Sequence, residues 1–155
     1  MGIVADIITK LKTSSDLQYV SVWNNQMEYI ENGGDYSFPL PSGFIELITD
    51  NLQDIGGGYQ GSDLTANIHI LHNNLTNPDD IGLNSDIFDL KNNIIKLFFK
   101  FQPTQSSIFI RVSEQQDFNH DNVYHYIITY KLHYIDNITV SDETTITNPD
   151  LTILH

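Results

Sequence analysis

Hydrophobic positions along the chain fall into one long helical period and several short alternating runs. The long period spans Ser85 to Phe101, SDIFDLKNNIIKLFFKF, where Ile87, Leu90, Ile94, Leu97, Phe98 and Phe101 share one stripe. Ser85 is the expected N-cap, and Asp86 and Asp89 place negative charge in the first turn. Lys91, Lys96 and Lys100 lie toward the other end, the order a helix dipole favours, and Pro103 stops the helix. Phe88, Ile95 and Phe99 widen the apolar surface beyond one stripe. That predicts either a deep core or a neighbouring subunit on a second side of the helix. A shorter amphipathic helix is predicted over Ile3–Leu11, from Val4, Ile7, Ile8 and Leu11.

Alternation with period two predicts strands. Tyr19, Val20, Val22 and Trp23 form a short first strand, and Gly43 to Thr49 and Leu64 to Leu71 a second and third. Asn24 to Pro41 reads as a long connection, with Gly33-Gly34, Pro39 and Pro41 in it. Asp50 to Asp63 is a glycine-rich span between two strands, the pattern of an extended hairpin that projects from the body. Asn73 to Asn84 is a polar loop. Ser107 to Ser113 is a fourth strand and Val123 to Ile135 a fifth, joined by a turn around Asn119 to Asn122. On the fifth, Tyr124, Tyr126, Ile128, Tyr130, Leu132 and Tyr134 share one face, and His125, Thr129, Lys131 and His133 the other. The expected fold is α+β and sandwich-like: a mixed, mostly antiparallel sheet of about five strands packed by two helices, with the glycine-rich hairpin projecting. Residues 1–135 form one domain and 136–155, Thr- and Asp-rich without helical period, a C-terminal arm.

Composition narrows the function classes. The chain of 155 residues has 7 basic and 20 acidic side chains, a formal charge of −13. That balance argues against gripping nucleic acid or an anionic membrane, both of which need clustered Lys and Arg. It is compatible with facing DNA by repulsion. There is no cysteine, which excludes disulfides, thiolate metal sites and cysteine nucleophiles. The N-terminal residues MGIVADIITKLKTSS lack the basic start and apolar run of a signal peptide, and no stretch reaches the roughly 20 apolar residues of a membrane span. A soluble protein made in a cytoplasm is expected.

No motif carries chemistry. Gly56-Gly57-Gly58-Tyr59-Gln60-Gly61 matches G-x-G-x-x-G, but Ser62-Asp63 and a strand follow it, with no helix to hold a pyrophosphate. A loop tip is the better reading. His69, His125 and His133 lie on strands, so a three-histidine metal site is conceivable. Yet His125 and His133 are separated by roughly 27 Å of extended chain, too far to share an ion, and a His69–His125 or His69–His133 pair lacks a third ligand. Surface or interface histidines are expected. Asp79-Asp80, Asp86 and Asp89 cluster, but Asp86 and Asp89 serve the helix start, and Asp142-Glu143 sits in the polar tail. Some clustering is expected among 20 acidic residues, so no nucleophile or base is named for a glycosidase or magnesium site. The tyrosine face of the fifth strand lacks the basic residues of a base-stacking platform and fits a half-buried sheet face or a protein contact.

The element order is helix, strand, long loop, strand, glycine hairpin, strand, loop, long helix and two antiparallel strands. With the strand Gly43–Thr49 after Pro41 and the strand Leu64–Leu71 containing ANIHIL, it resembles the tail terminator and tail-completion proteins of tailed bacteriophages, over roughly residues 3 to 135. The resemblance implies a structural virion protein of the neck or tail end, assembled in a host cytoplasm. It would form a homo-oligomeric ring, a hexamer or a multiple, that touches other neck or tail proteins and lets DNA pass as cargo. It implies no catalytic residue, cofactor, metal or membrane. Gly56, Gly57, Gly58, Tyr59 and Gln60 at the hairpin, and Phe88, Ile95 and Phe99 on the helix, are then the expected subunit or partner contacts. Two other classes stay open: a small acidic monomeric protein-binding module, and a hydrolase or nucleotide-binding enzyme with a pocket around the glycine loop.

Overall fold

A computed structural model of the chain describes residues 2–31, 38–73, 81–117 and 123–137. The first predicted helix forms as α1, Ile3–Leu11, burying Ile3, Ile7 and Leu11. The first strand is β1, Tyr19–Val22. The connection that follows is not wholly irregular: it holds a short helix, α2, Gln26–Glu31. Six residues are too few to display a helical period; Met27 in it is buried.

The second and third strands are much longer than their apolar alternation. They run as β2, Ser42–Gly56, and β3, Tyr59–Asn73. The stretch Asn51–Asp54, which reads as loop, is strand because Gln53 and Asp54 pair with Gly61 and Gln60 while their side chains are exposed, with an irregularity at Asn51 and Leu52. The long helix is α3, Ile81–Leu97, four residues earlier at each end than expected. Ser85 therefore lies inside α3 and is not its cap. The pair Asp79-Asp80 lies outside the described segments. The end comes from Lys100 at φ +56°, a left-handed residue that closes the last turn before Pro103 is reached.

The fourth strand is β4, Ile110–Asp117, shifted from the expected Ser107–Ser113. Phe109 turns inward just before the ladder, and the polar half of the strand pairs with β5, Val123–Asn137, at an edge where Glu114 also reaches Lys91 and Asp117 reaches His125. Residues 138–155, most of the expected C-terminal arm, lie outside the described segments, as do the turn Asn119–Asn122 and the pair Asp142-Glu143.

The sheet order is β1-β2-β3-β5-β4, with β1 parallel to β2 and the other neighbours antiparallel. The fold is α+β, with sheet dominating over few helices. α1 and α3 contribute to one core with the sheet, in which Ile7, Leu11, Ile68, Ile94, Phe98 and Ile128 are buried together. The even-numbered face of β5 lines this core, so its tyrosines are packing residues. Burial pushes the Tyr130 phenol up to about 12. A smaller cluster of Met27, Phe38, Phe44, Leu71 and Val123, with Trp23 and Leu40 beside it, covers one end of the opposite face.

Candidate functional site

Two features stand apart from ordinary packing. The first is the end of the β2–β3 hairpin. β1 pairs only as far as Val22 with Ile45, and β4 only to Ile110 with Lys131. β2, β3 and β5 continue to the Gly56–Tyr59 and Tyr59–Asn137 pairs, forming an arm. Gly57 and Gly58 are the two loop residues, at φ +64° and +79°. A two-residue loop with both φ values positive has the character of a type I′ turn, whose twist matches that of the strands. That geometry explains the glycines without a phosphate.

The arm displays apolar side chains to water: Leu52 is 65% and Ile55 54% exposed, and Tyr59 and Ile135 are exposed beside them. Its carboxylates are Asp50, Asp54, Asp63 and Asp136. Asp63 is paired with His133 at 3.1 Å and accepts from Asn51 Nδ2 at 3.2 Å, which hold it below the usual carboxylate range. Of the expected contact residues, Gly56 to Gln60 thus sit together at the arm tip. Phe88 and Phe99 are 51% and 75% exposed. Ile95 does not belong with them: it is half-buried against the main core. Phe99 lies just beyond the helix, so the three do not make one continuous strip.

The second feature was invisible in the spacing. His69 and His125, 56 positions apart, meet because the β3–β5 register sets His69 opposite Ile127 and Leu71 opposite His125. His69 Nδ1 is 2.9 Å from His125 Nε2, and both residues are buried, at 4% and 2% exposure. The expectation of surface histidines is therefore wrong for this pair. It holds for His133, which is exposed beside Asp63. At the outer ends, His69 Nε2 is 3.4 Å from Glu46 Oε2, and His125 Nδ1 is 3.4 Å from Asp117 Oδ2. Asn67 donates to the same Glu46 oxygen at 2.7 Å and accepts from Thr129 Oγ1 at 2.9 Å. Trp23 closes the pair from above, parallel to the His69 ring with centroids 4.0 Å apart.

Burial is the main influence on His69 and pushes its pKa down; Glu46 opposes it through its hydrogen bond and charge. The two rings spend their facing nitrogens on each other. Among the described residues no group of three His, Asp or Glu side chains is placed to hold a metal ion. His133, the third histidine of that constellation, lies toward the arm with Asp63 instead. Asp86 and Asp89 line an open groove of about 310 Å³ with His72 and Asp16, away from the histidine pair. No protein-family model and no curated protein sequence matches this chain.

Proposed function

We propose that the chain is a structural subunit that assembles with copies of itself into a ring at the neck or tail end of a tailed bacteriophage, as tail terminator and tail-completion proteins do. The observation that carries this reading is the arm: three paired strands end in side chains, Leu52, Ile55 and Tyr59, that stay exposed among the described residues. In this reading the helix layer on its largely antiparallel sheet is the ring body, and the arm reaches a neighbour. A net charge of −13 suits a ring through which DNA slides without being held. The reading gives the histidine pair a structural role, because both rings are buried and paired with each other rather than turned to a substrate. It assigns no catalytic residue, cofactor or metal.

Sedimentation velocity with negative-stain imaging of the purified chain tests it. Annular oligomers are expected, alone or on addition of purified tails or connectors. A strictly monomeric protein with no affinity for either would end the reading and leave the acidic binding module in its place.

A further inference from the structure

Charge is not spread evenly over this acidic molecule. Five of its basic side chains, Lys10, Lys12, Lys91, Lys96 and Lys100, belong to α1, α3 or the residues just after them. Lys91 is engaged with Glu114 at 3.1 Å. The other four make no ion pair among the described residues. Lys10 and Lys100 lie instead over the rings of Phe101 and Phe99, 5.7 and 5.4 Å from the centroids. Beside them a groove of about 330 Å³ runs between α1 and the segment after α3, lined by Thr9, Lys10, Thr13, Phe101 and Pro103. The carboxylate in that groove, Asp6, is occupied: it accepts the Thr104 N–H at 2.8 Å.

The arm is the complement of this surface. Asp50, Asp54 and Asp136 have no cationic partner among the described residues, and Leu52, Ile55 and Tyr59 are exposed next to them. Copies that each carry −13 repel at a distance, so lasting contact between them needs a local pairing of opposite charge. Among the described residues the arm tip and the lysine layer provide such a pairing, each with an apolar centre to desolvate.

Resting on the ring reading above, we infer that the arm tip docks on the helix layer of a second copy of this chain. Ile55 and Tyr59 go toward the Phe99–Phe101 surface, and Asp54 and Asp136 toward Lys96 and Lys100. Donor and acceptor surfaces differ, so the contact is head-to-tail, and repetition closes a ring where the rotation permits.

Charge exchange tests the inference on the full chain. One variant carries Asp54→Lys with Asp136→Lys, a second Lys96→Asp with Lys100→Asp, and a third all four changes. Sedimentation velocity is expected to show the first two weakened in self-assembly by at least about tenfold, since like charges then oppose each other. An equimolar mixture of the two, and the fourfold variant alone, are expected to assemble again. Wild-type assembly that survives both double changes overturns the docking surface and leaves the ring reading standing. So does a fourfold variant that keeps the wild-type near-ultraviolet signal of Trp23 yet stays monomeric. A wild-type chain that never assembles removes the ring reading and this inference with it.

Discussion

His69 Nδ1 and His125 Nε2 face each other at 2.9 Å under the indole of Trp23, and this distance limits how many protons His69 can hold. The Glu46 carboxylate accepts, so His69 Nε2–H is the donor to it. With that ring neutral, Nδ1 is an acceptor and His125 Nε2–H donates. A second proton on His69 would set two N–H groups against one another. Burial, which lowers the His69 pKa, acts in the same direction.

The sign of the pH dependence follows. His69 has a folded pKa below its ordinary value of 6.5, so the unfolded chain binds its proton more readily. Its contribution to stability is present above about pH 6.5 and is lost as pH falls through the lowered folded value. Urea midpoints should fall between pH 7.5 and 5.5, before most carboxylates titrate. His69→Gln, whose amide can donate to Glu46 and accept from His125, should flatten that slope. A wild-type midpoint that rises on acidification, or an unchanged slope in the variant, would refute this account.

The pair should also be coupled in a mutant cycle. His69→Phe keeps a ring beneath Trp23 but deprives His125 Nε2–H of its acceptor, at a cost of about 1–3 kcal/mol. His125→Phe removes the other half. Changing both removes the stranded donor, so the double variant should cost at least ~0.5 kcal/mol less than the sum of the singles. Urea unfolding of the three variants measures the difference; strict additivity would mean that the 2.9 Å contact contributes nothing.

The main core was legible because its residues obey a local period. Ile87, Leu90 and Ile94 on α3, Phe98 directly after it, and Ile7 and Leu11 on α1 are buried as their spacing predicts. The histidine pair was not legible, since no spacing along the chain encodes a β3–β5 register. Alternation placed His69 and His125 each on a strand and could go no further. The polar half of β4 and the polar hairpin residues escaped for a different reason: an exposed strand needs only backbone partners, and its side chains carry no pattern. For the arm, the glycine run and the flanking strands marked its place, but not how far its pairing extends.

Neighbouring phenylalanines at the end of α3 separate folding from surface chemistry. Phe98 is buried among the rings of Phe101, Phe109 and Tyr130, whereas Phe99 is 75% exposed. Phe98→Ala should lower unfolding free energy by about 3–5 kcal/mol through lost burial and a cavity. Phe99→Asp should change it by no more than about 0.5 kcal/mol while weakening any self-association seen by sedimentation. If Phe99→Asp unfolds the chain instead, Phe99 is core.

Gly57 tests the turn. It is the first of the two loop residues, at φ +64°, a value that asparagine tolerates and β-branched residues do not. A Cβ there meets only Tyr59 Cδ2 at 3.8 Å, so space is not the obstacle. Gly57→Asn creates the Asn-Gly pair preferred in type I′ turns and restricts the unfolded chain. It should leave the thermal midpoint unchanged or raise it, by up to about 0.4–1 kcal/mol in stability. Gly57→Val keeps similar space requirements near the backbone but must hold a left-handed conformation, at a cost of about 1–2 kcal/mol. Because the arm tip is exposed, that loss should appear as local opening, read as faster amide exchange at Ile55 and Tyr59, with the core amides of Ile68 and Ile128 still protected. Equal behaviour of the two variants would mean that backbone conformation at the tip is not what selects glycine.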